Sequence, residues 1–197
     1  MAVQYRPKHQ RQLAEPISGR YDCTAYSAAL AVDRHTIGGV VVRGRDIRLA
    51  STEPRPDPGS PGLNLAQATA AAFRLTRVNL TVKRGPWATF VTRLRTRGAI
   101  LPGDYDQMGE FSAQPSFRDL HAMFINNLNS DHIEIGGVTY GPEKAGLTYD
   151  PLYRTFRWVP LAVLRKYAEK YARAVNYTGG VIYAETRVTP LIAAQIN

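Results

Sequence analysis

Apolar and polar positions alternate between residues 78 and 83, where Val78, Leu80 and Val82 interleave with Asn79, Thr81 and Lys83. A period of two is that of a strand with one wet face. The period then changes. Behind Pro86, Trp87, Phe90, Val91 and Leu94 recur every three or four residues, which predicts an amphipathic helix with proline at its first position and Gly98 as its stop. The clearest helix spans residues 160–174, with Leu161, Leu164, Tyr167, Ala168 and Tyr171 on one side and lysines and arginines opposite. Nearer the start, a helix opens at Cys23, capped by Asp22, with Ala25, Ala28, Ala29 and Val32 as a small apolar face and Gly38 and Gly39 beyond its end. A short strand at 40–42 and a mixed run through Leu49 follow. Residues 65–73 form a further helix, with Leu65, Ala68, Ala72 and Phe73 predicted as its buried side.

The second half is built of short strands: 99–101, 121–125, 132–135, 138–140 and 146–149, punctuated by Gly136, Gly137, Gly141 and Gly146. That spacing predicts an antiparallel meander. A last strand covers 181–186. Helices early and strands late make an α+β arrangement. Residues 51–62, STEPRPDPGSPG, contain four prolines and two glycines, the composition of a surface loop within one domain rather than of an element. The expected organisation is a polar arm over 1–20, a domain over 21–187 and a tail over 188–197.

Composition narrows the function classes. With 197 residues and 44% apolar content the chain can bury one core. Residues 1–16 hold no apolar signal-peptide segment, and no stretch is long enough to span a membrane. The one cysteine excludes an internal disulfide and the multi-cysteine zinc patterns. No cofactor is expected, and the expected location is a virion or the cytoplasm. The net charge of +9, from 25 Lys and Arg against 16 Asp and Glu, attracts acidic partners. Arg93, Arg95 and Arg97 are the expected patch. An acidic protein surface, including other virion proteins, is favoured over nucleic acid, for which no recognition motif is present.

Three residues suggest chemistry. Cys23 opens a helix, where backbone amides lower a thiol's pKa. His121 begins an apolar strand, HAMFI, and Asp150 ends another in LTYDP. If the two strands are neighbours, the carboxylate can hold the imidazole while the ring takes the thiol proton. Each alone has an ordinary reading: a small buried hydrophobe, a satisfied histidine at a sheet edge, a turn-forming Asp-Pro. His132 is the rival base. With Glu134 on the same strand face and Asp131 alongside, it also makes half of a metal site, but no third ligand has suitable spacing. Asp104, Asp106 and Glu110 lack the spacing of a calcium loop. No metal is expected.

The segments YDCTAYSAAL, NLAQATAAAF, NLTVK, PWATFVTRLRTRG, AILPGDY, HAMFINN, GLTYDP and WVPLAVLRKYAEKYA resemble, in order and texture, the papain-like cysteine peptidases. The likeness is to the bacteriocin-processing, double-glycine-specific family and its phage and bacterial relatives, and it covers roughly residues 15–172. It implies a papain-like fold, Cys23 as nucleophile, His121 as general base and Asp150 as orienter. Two positions depart from the family. EPISGRYD, before Cys23, lacks the glutamine that helps hold the oxyanion, leaving Gln12 and Gln107 as candidates, and Thr24 stands where relatives often carry glycine. The expected function is a thiol hydrolase acting on a peptide or cell-wall peptide bond. The alternative is an inactive structural component of a phage or virus particle, in a tail or connector assembly.

Overall fold

Six strands form the frame: β1 (Leu80–Gly85), β2 (Ala99–Asp104), β3 (Leu120–Leu128), β6 (Ala145–Asp150), β7 (Thr155–Pro160) and β8 (Val181–Thr186). The computed structural model describes residues 21–36, 42–52, 61–112, 114–152 and 155–186. The strands make one sheet in the order β1-β8-β2-β3-β6-β7, with every neighbouring pair antiparallel. A separate hairpin pairs β4 (Ile133–Ile135) with β5 (Val138–Tyr140). Its turn is Gly136-Gly137, at φ 57° and 77°, the left-handed pair that a two-residue hairpin connection demands.

Strand alternation gives the sheet two apolar faces. Ile100, Phe124, Ile182 and Ala184 join one core with α1 (Cys23–Thr36), α2 (Gly44–Ala50) and α3 (Leu65–Thr76). Leu101, Met123, Ile125, Val181 and Tyr183 join the other with α4 (Trp87–Leu94) and α5 (Leu161–Ala174). Helices therefore cover both faces. The architecture is α+β, as expected, although the sheet recruits β1 and β2 from the first half as well as the late strands.

Several local expectations change. The run through Leu49 is a helix, α2. Arg43 N donates to the Asp46 carboxylate at 3.1 Å, which satisfies a donor that helix formation leaves open. The expected strand at 40–42 lies mostly outside the described residues, as do the arm over 1–20, residues 53–60 of the proline-rich loop, and the tail. Phe73 is exposed, not buried. The inner stripe of α3 runs through Leu65, Ala68, Ala71 and Ala72, and the guanidinium of Arg77 stands 5.8 Å from the Phe73 ring centre. Strand β7 was not expected, because Pro160 read as a helix start. The acidic run around Asp106 forms 3-10 turns over Tyr105–Phe111, kinked at Gly109.

Candidate active site

Cys23 is the first residue of α1, and Tyr26 N donates to Asp22 O at 3.1 Å to start the helix. Small residues let this helix run through the interior: Ala25, Ala28, Ala29 and Ala31 are all fully buried. Ser27 Oγ donates to Ala122 O at 3.0 Å and ties the helix to β3. The side chain of Asp22, one residue before the thiol, meets Arg48 at 3.1 Å, and neither side chain is exposed. Arg48 also donates to Pro61 O at 3.0 Å. One buried guanidinium thus links α2, the residue before Cys23 and the chain leaving the proline-rich loop.

His121 lies near the start of β3, opposite Gly103 of β2. Its carbonyl accepts from the Tyr167 hydroxyl, which also donates to Leu101 O at 3.3 Å. Gly103 is required for this contact, since a Cβ there would lie 2.2 Å from the Tyr167 ring. Asp150 ends β6, the neighbour of β3 in the sheet. Its Oδ1 is 2.9 Å from His121 Nε2 and accepts from Leu152 N at 3.0 Å, while Oδ2 accepts from the Tyr105 hydroxyl. The rings of Tyr105 and Phe117 meet the imidazole edge-on, with centres at 4.9 and 5.7 Å. The other ring nitrogen, Nδ1, is buried and has no hydrogen-bond partner.

The three groups perturb one another strongly. Burial pushes the Cys23 thiol up, but the neighbouring His121, the Ala122 backbone and the Thr24 hydroxyl together hold it below its ordinary value. Burial disfavours a charged His121, yet Asp150 and Cys23 raise it to about 10. Asp150 is held down against its own burial by the His121 charge and by hydrogen bonds from His121, Tyr105 and Leu152. At neutral pH these directions favour thiolate, imidazolium and carboxylate in series.

The thiol faces a cleft of about 470 Å³ with Thr24, Leu63, Leu65, Leu120, His121 and Tyr171 among its walls. Gln107 sits half-buried on the 3-10 helix and is not among the residues lining this cleft. Gln12 lies outside the described residues. Asn64, which does line it, has its Oδ1 committed to Gln67 N at 2.9 Å, leaving its NH2 group as a donor. His132 is exposed next to β4 and does not line the cleft. Among the described residues no group of three or more His, Cys, Asp or Glu is placed to hold a metal ion. Two of the three acids in this run are committed elsewhere: Asp104 Oδ1 accepts from Asp106 N at 3.1 Å, its Oδ2 pairs with Lys170 at 2.8 Å, and Asp106 faces Arg118 at 3.8 Å. The three arginines divide between two grooves. Arg93 and Arg97 share one with Lys83 and Glu185, while Arg95 pairs with Glu143 in another. No helix among the described residues is long and apolar enough to cross a membrane.

Sequence reasoning missed Tyr105, Tyr167 and Arg48. Tyr105 was hidden in GDYDQMGE, where the surrounding acids suggested a surface loop, yet it is 1% exposed. Replacing it with phenylalanine leaves Asp150 Oδ2 short of a donor in a buried site. Tyr105→Phe is therefore expected to cost about 1–3 kcal/mol in urea unfolding. It should also raise the Asp150 carboxyl toward its ordinary value, followed by carbon-detected NMR. An unchanged carboxyl titration would show that this hydroxyl does not support the carboxylate.

No protein-family model and no curated protein matches the sequence. Among solved structures, the chain is similar to one from Bacillus anthracis described as a "putative C39-like peptidase". That match has a TM-score of 0.52 at 11% identity and covers 91% of this chain and 94% of the other. At that identity the likeness speaks for the fold, and it extends over nearly the whole of both chains. The chain shares its α+β fold with that C39-like peptidase structure.

Proposed function

We propose that this protein is a thiol hydrolase that cleaves a peptide bond, with Cys23 as nucleophile, His121 as general acid and base, and Asp150 as the group that orients the ring. The observation that carries this reading is the buried His121–Asp150 hydrogen bond, with the second ring nitrogen left free beside the only thiol of the chain. The thiolate attacks the substrate carbonyl carbon, and the electron pair moves onto the oxygen. Backbone amides at the start of α1, that of Cys23 included, take up that oxyanion. Imidazolium then gives its proton to the leaving amine as the C–N bond breaks, and a thioester remains. Water attacks the thioester while the imidazole takes its proton. The C–S bond breaks, the acid product leaves and the thiolate–imidazolium pair is restored. A cell-wall peptide is the substrate favoured by the basic charge, and a virion-associated enzyme is the setting that the resemblance suggests.

The test is the pH dependence of Cys23 alkylation by iodoacetamide. Because the imidazolium lowers the thiol pKa, the parent should react well below the usual thiol range. In His121→Ala only burial and weaker hydrogen bonds remain, and the thiol should return to its ordinary value or above. An ordinary thiol near pKa 8.5 is only about 0.3% thiolate at pH 6, so the parent should react roughly 100-fold faster there. An inert Cys23, or one titrating alike in both proteins, would leave the inactive scaffold as the better reading. If His132→Ala instead removes the low-pH reactivity, the base is His132.

A further inference from the structure

A second groove, of about 770 Å³, shares no lining residue with the thiol cleft. Its walls include Arg34 at the end of α1, Asn126 of β3, Leu147 of β6, Trp158 of β7, and Arg95 with Glu143. Arg95 is already neutralised, since its Nη2 donates to Glu143 at 2.8 Å. Arg34 is not. Its Nε donates to Oδ1 of Asn126 at 2.9 Å, and Asn126 is 5% exposed. Asn126 is itself fixed by the bond from its Nδ2 to Asn127 Oδ1 at 2.9 Å. The Arg34 guanidinium is therefore held in one direction by a neutral amide, and no carboxylate among the described residues pairs with it.

A guanidinium is a planar fork of five donors, matched to carboxylate geometry at its paired nitrogens. In Arg34 the Nε position is used and the two Nη atoms have no acceptor among the described residues. Burial pulls this group below its ordinary pKa, which reflects the cost of the uncompensated charge. The half-buried indole of Trp158 also has no acceptor for its N–H, and Leu147 lies directly across from it in the β6–β7 pairing. Donors thus stand beside an aromatic and aliphatic wall, the combination that fixes an anion carried on an apolar skeleton.

We propose that this groove binds a carboxylate attached to an apolar carbon skeleton, with the carboxylate on the Nη atoms of Arg34 and the apolar part against Trp158 and Leu147. The site is separate from the thiol chemistry and does not depend on it. Two sources carry this group: the free C-terminal end of a peptide and a small organic acid.

The two tryptophans, Trp87 and Trp158, give separate indole N–H signals in NMR, assigned through Trp87→Phe. The full chain is titrated with N-acetyl-leucine, N-acetyl-leucinamide, inorganic phosphate, and a tetrapeptide ending in a free leucine carboxylate. N-acetyl-leucine should shift the Trp158 signal saturably and leave Trp87 in place, and the amide should shift neither signal. Arg34→Met should weaken the acid at least about tenfold, with Arg34→Lys, which keeps the charge but loses the fork, in between. Cys23 alkylation should be unchanged in both variants, which shows that they are folded. Tighter binding of the tetrapeptide than of N-acetyl-leucine assigns the site to peptide ends, and equal binding assigns it to small acids. The proposal is overturned if no saturable shift appears, if the amide binds as well as the acid, or if Arg34→Met changes nothing. Phosphate matching the acid would overturn the apolar half of it.

Discussion

Cys23→Ala, His121→Ala and the double variant should each lose nearly the same factor in kcat, about 10⁵–10⁶, on any peptide the parent turns over. The equality matters more than the size. The thiolate owes its stability to the imidazolium, and the imidazolium owes part of its raised pKa to the thiolate. Removing either leaves the other without a task, so the losses do not add. Asp150→Ala should cost less, about four powers of ten, because the thiol and ring remain but the ring loses its fixed direction and its counter-charge. Asp150→Asn should be milder still, since its amide oxygen can accept from Nε2. The measurement is turnover of internally quenched peptides, with a substrate first selected from a library on the parent. Full additivity of the Cys23 and His121 losses would mean that the two residues act independently, and the pair would no longer explain the reaction.

Arg48→Met should be among the most destabilising single changes in the chain. It leaves the Asp22 carboxylate buried with its counter-charge removed and takes a donor from Pro61 O. Breaking a buried pair from one side costs about 3–5 kcal/mol. For a protein of this size that is a fall in Tm of roughly 6–20 °C. The double variant Arg48→Met, Asp22→Leu removes both charges and should regain much of the loss, because the single variant's cost is mostly that of one stranded charge. Urea unfolding of the three proteins decides this. A loss below about 1 kcal/mol in Arg48→Met would place the pair with weak surface bridges.

The positions of Cys23, His121 and Asp150 were readable because each stands at the end of a regular element, and element ends follow from local pattern. A small-residue helix opens at Cys23, an apolar strand starts by His121, and another closes at Asp150. Their meeting was not readable from the pattern itself, since it depends on β6 pairing with β3 and on α1 packing against the sheet. The supporting residues were less legible still. Tyr105 and Tyr167 act through single hydroxyls at long sequence separation, and Arg48 sits in GRDIRLA, where alternating charge suggests a wet surface. A buried arginine has no signature in a hydropathy pattern, because its partner is one carboxylate 26 positions earlier in the chain. Strand β7 was missed for a related reason. Phe156 and Trp158 flank Arg157, but this alternation is too short to stand out before Pro160 opens the next helix.

The place of β8 bears on how the chain acquires its sheet during synthesis. The last of the described strands in chain order lies between β1 and β2, pairing Leu80 with Thr186 and Ile100 with Ala184. Until it leaves the ribosome, β1 has no partner in the sheet and waits with its hydrogen-bonding groups open. Helix α3, which packs on the sheet mainly against β1, waits with it. Pairings this distant in sequence are slow to form, and unpaired strands are prone to non-native association. A nascent chain that ends before β8 therefore carries its thiol, histidine and aspartate without the strand that joins β1 to the rest of the sheet.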